Sequence, residues 1–481
     1  MPYKDIRDYL GILEGMGKLK RIQKPVDPAW ELSCIARWMF QALPEEERFG
    51  LFFEKVKGFH IPVMTGILGA SRDVYAVGLD EKPDHINERW VHALLNPMTP
   101  IEVDRAPCQE VVHRGMDVDL GLLPIPVWTP GKDAAPYVTN PLLTRDRDTG
   151  IQNAAVYRCM FKDKDHLIVN LSPGRHGTRC YESYRRKGEK APFALVIGAE
   201  PAVHFAAVAN LPYGTDELTL AGGLKGAPIE VVKAATVDLL VPANAEIIIE
   251  GKIPPDAFAE EGPFGEFAGY MGPVGQRPLG TITAVTHRKD PIYYGYISQM
   301  PPSESTTIQS LGNAGLILKL LRHDLGHDSV RDVHIDLTYG GMLAHGVVSM
   351  RPLYPGHAKQ VGRLVADTTT LKRVTVVDDD VDIRDPMHMS WAMNSRFSPE
   401  RDTIIIKDIF TSAAMDPTVQ IRDGEVQMSS KIVMDATGEQ DGVKDTSMPS
   451  GELMLKALET WREIGLPEFE IPKRTKYILK M

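Results

Sequence analysis

At 481 residues the chain is too long for one hydrophobic core and points to two to four domains. Its 43% hydrophobic and 25% charged content is that of a globular protein rather than a disordered one. A net charge of -10, with basic residues only in short clusters at 18–24 and 185–190, excludes a nucleic-acid-binding stripe.

No run approaches the ~18–20 apolar residues of a membrane-spanning helix, and Met1–Asp5 lacks the apolar stretch of a secretory signal. The cysteines Cys34, Cys108, Cys159 and Cys180 show neither C-x-x-C spacing nor a zinc-like grouping with histidine. Reduced thiols and a cytoplasmic location are expected.

Ile6, Tyr9, Leu10, Leu13 and Met16 recur at helical spacing and predict a first helix, with Gly17 as its stop. A mixed α/β segment follows to about residue 105, with a strand-like run at Ile61–Leu68. The proline- and glycine-rich stretch Leu120–Pro136 reads as an irregular boundary. Short β-type runs then recur at Leu167–Leu171, Phe193–Gly198, Ile229–Val232, Glu246–Glu250 and Thr281–Thr286, the pattern of a barrel or sandwich-like sheet. Ser303-Glu304-Ser305-Thr306 supplies capping chemistry for a long helix through Leu311, Leu316, Leu318 and Leu321. The last third alternates: strand Gly346–Met350, helix His357–Asp367, strand Val374–Val377, helix Met387–Asn394, strand Thr403–Ile406. That βαβαβ order predicts a parallel sheet covered by helices. A final helix is expected over Gly451–Arg462.

Two groups of residues carry chemistry. Asn153, His176 and Glu217 offer a carbonyl oxygen, an imidazole nitrogen and a carboxylate, with no thiolate. That donor set suits Mn²⁺ or Mg²⁺ and leaves coordination positions for water and phosphate. Taken singly, each is more often a structural residue. Arg158, Glu261 and Glu266 form the second group. The two glutamates are bridged by Gly-Pro-Phe-Gly, a constrained turn that lets backbone approach a ligand, while Glu260 reads as solvated. Carboxylates held together raise one another's pKa and an arginine lowers it, so one glutamate can stay protonated near neutral pH. Asn153 and Arg158 are five apart, which in a regular strand sends them to opposite faces. Both reach one site only past a bulge or strand end. The acidic run Asp378-Asp379-Asp380 with Asp382 lacks the glycine of a calcium loop and reads as a strand-end cap. The glycines of 221–226 lack Walker spacing, and no G-x-S-x-G elbow occurs.

With Asn153 and Arg158 in Q-N-A-A-V-Y-R, His176 in S-P-G-R-H, Glu217 in G-T-D-E, and Glu261 and Glu266 in E-E-G-P-F-G-E, the chain resembles the UbiD family of prenylated-FMN-dependent decarboxylases over nearly its whole length. The resemblance implies an α/β multidomain fold: an N-terminal α/β domain (1–105), a central split β-barrel of flavin-reductase type (106–300) and a C-terminal α/β domain (301–481) ending in a dimerisation helix. It implies that Asn153, His176 and Glu217 hold a divalent ion that anchors the cofactor phosphate, with a potassium site bordered by Glu217. Arg158, Glu261 and Glu266 would form a Glu-Arg-Glu network, with Glu266 as proton donor to a substrate joined covalently to the cofactor. Arg175, beside His176, would meet the cofactor phosphate or a second anionic group. The implied reaction releases CO₂ from an aromatic, heteroaromatic or α,β-unsaturated carboxylic acid. The first two are favoured, with Phe267 and Met342-Leu343 as candidate pocket walls. The implied partners are a flavin prenyltransferase that supplies the cofactor and a second copy of the chain, since family members are homodimers, some assembling into hexamers. An accessory subunit of a multi-subunit carboxylase and a plain flavin oxidoreductase are the alternatives. The intact Glu-Arg-Glu set speaks against both.

Overall fold

The first helix forms over Ile6–Gly15, where Asp5 accepts the N–H groups of Arg7 and Asp8 as an N-cap. Ile6, Tyr9, Leu10 and Leu13 are buried, and Gly17 ends the element in the left-handed region at φ +71°. Met16, read as part of the apolar stripe, is instead the exposed C-cap residue.

The computed structural model describes residues 3–337, 345–409, 416, 418–419, 421–422, 425–426, 428–438 and 446–479. The chain divides into two compact units, one chiefly the residues through Leu316 and the other chiefly those from Ile317 onward. Among the described residues no helix is long and apolar enough to cross a membrane.

In the first unit, a four-stranded sheet runs in the order Leu19–Ile22, Gly50–Phe53, Val63–Thr65, Tyr293–Tyr294. Its last strand arrives from far along the chain and pairs in parallel with Val63–Thr65. The larger sheet has ten strands, all paired antiparallel. Its path begins at Tyr137–Val138, passes through the 13-residue strand Gly275–His287, and finishes at Pro141–Arg145 and Gln152–Val156. The end strands are not paired with each other, so the sheet is open. Ile247, Ile248 and Ile249 are fully buried on consecutive positions, which requires cover on both faces of their strand. Phe193 lies so close to Gly251 and Gly280 that a Cβ on either would stand 2.5 and 2.7 Å from its ring. The predicted long helix spans Glu304–Lys319, with the Thr306 N–H donating to Ser303 Oγ at 3.3 Å. The glycines of 221–226 serve packing. Gly222 and Gly223, on the helix Glu217–Lys225, sit where a Cβ would meet the carbonyls of Met98 and Ala93 at 2.6 Å.

The second unit carries a five-stranded sheet, ordered Val330–Ile335, His345–Met350, Arg373–Asp378, Ser429–Ala436, Thr403–Ile409. The middle three strands are parallel, and the helix His357–Thr368 makes the expected crossover between the first two. The wholly parallel expectation needs correction. Thr403–Ile409 is an antiparallel edge strand, and the third parallel strand is Ser429–Ala436. Its mixed polar and apolar residues are mostly half-buried, so it carries neither an apolar run nor an alternating pattern. Asp378 and Asp380 do close a strand end: Arg396 donates to them at 2.9 and 2.7 Å.

Candidate active site

The strand Phe258–Glu261 leaves Glu260 exposed and Glu261 buried, the alternation that a pleated strand dictates. The chain then turns through Gly262, whose φ of +98° suits only glycine. It folds back so that the Gly272 N–H donates to the Phe264 carbonyl at 2.7 Å and the Glu266 N–H to Tyr270 O at 2.8 Å. This return brings Glu266 to the same guanidinium as Glu261.

Arg158 lies just past the end of the strand Gln152–Val156, which removes the parity conflict with Asn153. Its Nε and Nη2 donate to the two Glu261 oxygens at 2.8 and 3.2 Å, and its Nη1 donates to Glu266 Oε1. One planar fork therefore binds both carboxylates, a geometry lysine could not reproduce. Asn170 donates from Nδ2 to Glu261 Oε2 at 2.8 Å, and its Oδ1 accepts from Ser172 Oγ at 2.8 Å, which fixes its amide. The guanidinium lies 5.0 Å from the centre of the Phe264 ring, and that ring lies 4.4 Å from Tyr137.

Burial sets the charges. It pushes the Glu266 carboxyl above the usual range; Arg158 pulls it back, and the negative charges of Glu261 and Asp133 push it up again. Burial works against the Arg158 charge as well, but the two glutamates outweigh it and hold the guanidinium firmly protonated. The Tyr137 hydroxyl is raised by burial and by the facing Glu261. The array can therefore hold a proton on Glu266 close to a fixed positive charge.

The second group gathers around the strand Gln152–Val156. His176 and Glu217 are the first residues of helices His176–Arg185 and Glu217–Lys225, both of which touch that strand. Glu217 Oε2 accepts the N–H of Ala154, next to Asn153, at 2.7 Å. Burial lifts the Glu217 carboxyl to about 8 and, with the charges of Arg179 and Arg175, lowers His176. Asn153 donates from Nδ2 to Thr144 Oγ1 at 3.3 Å, while its buried Oδ1 meets no hydrogen-bond partner. A lone buried acceptor, a neutral imidazole and a desolvated carboxyl fit a divalent ion, whose charge would favour the ionised carboxylate. Arg175 caps the His176 helix, where backbone N–H groups and the helix dipole favour an anion.

Three stretches match models of one family. Residues 10–94 match its 3-octaprenyl-4-hydroxybenzoate carboxy-lyase N-terminal domain, 100–301 the Rift-related domain, and 306–436 the C-terminal domain. The chain belongs to the UbiD family. It is accordingly an enzyme of the carboxy-lyase class with the mixed α/β multidomain fold of UbiD-class structures. A protein of Archaeoglobus fulgidus is 34% identical over 463 residues, covering 91% of this chain and 92% of its own. The UbiD-class enzyme HmfF from Pelotomaculum thermopropionicum, solved in complex with FMN, is 34% identical with a TM-score of 0.83, covering 94% of this chain and 98% of its own. An evolved dimeric form of HmfF, solved with prFMN, matches at 34% identity and a TM-score of 0.80, covering 93% and 97%. Vanillic acid decarboxylase from Sedimentibacter hydroxybenzoicus is 27% identical with a TM-score of 0.83, covering 96% and 99%.

Of the pocket residues named from sequence, Phe267 is half-buried next to Glu266, while Met342-Leu343 lie outside the described residues. Sequence reasoning missed Asn170, Phe264, Tyr137 and Asp133. Asn170 follows a strand as an isolated polar residue, and Asp133 sits in the stretch read only as an irregular boundary. Neither has a local signal, because each acts on a residue more than 90 positions away.

Proposed function

We propose that this UbiD-family enzyme catalyses the reversible, non-oxidative decarboxylation of an aromatic or heteroaromatic carboxylic acid, with α,β-unsaturated acids within the same chemistry, using prenylated FMN. One observation carries the reading: two buried glutamates share one arginine, and the more accessible of them, Glu266, is held above the usual carboxylate range. The complexes of HmfF with FMN and with prFMN support the cofactor class, and the likeness to vanillic acid decarboxylase supports an aromatic acid.

Asn153, His176 and Glu217 would hold Mn²⁺ or Mg²⁺, with a potassium ion beside Glu217. The ion, Arg175 and the N-terminus of the His176 helix together would receive the cofactor phosphate. When bound, prenylated FMN supplies the electron sink that loss of CO₂ from an sp² carbon requires. Arg158 orients the substrate carboxylate with its fixed charge, and Glu261 and Asn170 keep that fork in place. Glu266 gives its proton to the carbon that CO₂ leaves and, as a carboxylate, is then paired by Arg158 until it is reprotonated. In the carboxylation direction the same oxygen takes the proton. The active protein is a homodimer in this reading, in line with the dimeric HmfF form. Four free cysteines fit the cytoplasm, where a flavin prenyltransferase would supply the cofactor.

The test is mass spectrometry of the ligand released from protein co-expressed with a flavin prenyltransferase, followed by CO₂ release from aromatic and heteroaromatic acids. A mass of prenylated FMN with turnover by the single chain is expected. Protein that retains metal but no flavin, and is inactive without another subunit, would overturn the proposal in favour of an accessory role.

A further inference from the structure

The peptide that carries Glu266 is gripped from both sides. Asp133 Oδ1 accepts the Gly265 N–H at 2.9 Å, and its Oδ2 accepts the Thr129 N–H at 2.6 Å. On the other side, Gln299 Nε2 donates to the Gly265 carbonyl at 3.4 Å. Gln299 is itself fastened: its Oε1 accepts from Arg37 Nη2 at 3.1 Å and from the Ser298 N–H at 3.0 Å. It is buried and holds φ at +39°, a conformation rare for a residue with a side chain. Such strain persists only where the surroundings enforce it. The fit leaves no slack, since a Cβ on Gly265 would stand 2.3 Å from Thr129 Oγ1 and 2.8 Å from Gln299 Cγ. A further bond, from the Ala134 N–H to the Pro263 carbonyl at 3.0 Å, ties the same loop to the same turn.

We propose that Asp133 and Gln299 are positioning residues for the acid: together they clamp the Gly265 peptide and so set where the Glu266 carboxyl stands relative to Arg158. The inference rests on the proton-donor reading of Glu266 and extends it to two residues that touch neither Arg158 nor Glu261 through any hydrogen bond described above. Asp133 contributes more than geometry. The charged groups facing Glu266 are Arg158, which favours its ionised form, and Glu261 and Asp133, which oppose it. Burial raises the Asp133 carboxyl, while the Gly265 and Thr129 N–H groups directed at its two oxygens favour the ionised form; in that form its charge helps keep the proton on Glu266. Gln299 carries no charge and contributes position alone.

This division of labour is testable with variants that keep shape. Asp133→Asn removes the charge and keeps one acceptor. The alkaline limb of the turnover–pH profile should move to lower pH, read as a loss of rate at a fixed pH above the limb. The same shift should be read without turnover, in cofactor-free protein, from the infrared stretch of the protonated Glu266 carboxyl, assigned by its loss in Glu266→Gln. Asp133→Glu, which restores the charge, should bring the band back toward its wild-type pH. Gln299→Met keeps the buried volume and every charge; it should lower turnover at all pH values and leave the band where it was. An unmoved limb and band in Asp133→Asn overturn the charge role, and wild-type turnover in Gln299→Met overturns the clamp. If Glu266→Gln itself retains full turnover, the proton-donor reading fails, and the infrared band still reports whether Asp133 tunes that carboxyl.

Discussion

Replacing Glu266 by Gln separates shape from proton. The amide matches the neutral acid in size, and its carbonyl can still accept from Arg158 Nη1, where Glu266 Oε1 does now. Arg158 keeps both bonds to Glu261, at 2.8 and 3.2 Å, so its charge stays paired in the buried site. The cost in folding should therefore be within about 1 kcal/mol, the scale of one hydrogen bond. The cost in rate is far larger, because no proton remains to be given. A positioned general acid contributes ~10²–10⁴-fold, equivalent to about 2.7–5.5 kcal/mol of barrier. Because burial raises the Glu266 carboxyl, the wild-type enzyme should lose activity as pH climbs through that raised value and the acid ionises. The variant should show low, flat activity across the same range. The assay is CO₂ release by cofactor-loaded protein, with flavin content and thermal midpoint measured on the same preparation. A variant that turns over within threefold of wild type at equal flavin content would show that Glu266 is not the proton donor.

Arg158→Lys should lose at least ~10²-fold in turnover, since one ammonium cannot reproduce a fork bonded to two carboxylates, and equal CO₂ release would contradict that. Glu217 should make metal-free protein sensitive to alkali. Its folded value of about 8 exceeds the ordinary 4.5, so its contribution is full below pH about 4.5 and is lost as pH rises through 8, up to about 5 kcal/mol in all. Melting curves with and without Mn²⁺ check this, and identical pH profiles would count against the metal site. In the N-terminal part, Trp90 is fully buried against Gly312 and Gly315 and donates to the Tyr75 hydroxyl at 2.9 Å. Trp90→Ala should cost about 3–5 kcal/mol, and Gly315→Ala, whose Cβ would stand 2.3 Å from the Trp90 Cβ, about 1–3 kcal/mol. Denaturant midpoints would show both.

Much of the local structure is legible in residue order. The first helix, the crossover helix at His357–Thr368 and the capped helix after Ser303 lie where apolar period and capping chemistry put them. Ser429–Ala436 was not legible, because a half-buried strand flanked by neighbours on both sides has no pattern of its own. The candidate site divides in the same way. Arg158, Glu261 and Glu266 stand out as residue types in constrained segments, and Glu260 is distinguished from Glu261 by the period of the strand. Asn170 and Asp133 become visible only when the strands and turns that carry them are folded together.

The order of residues alone determined the family, some of the helices and strands, and the set of side chains proposed for acid–base and metal chemistry. These depend on residue type and on spacings of two to seven positions, which the chain carries locally. Folding in three dimensions settled that Glu261 is sealed while Glu266 stays partly exposed, that one guanidinium joins carboxylates 103 and 108 positions away, and that Asp133 and Gln299 hold Gly265 between them. Those outcomes turn on desolvation and on contacts between distant segments. Both exist only once the open sheet has brought the strand ends and the 262–272 turn together.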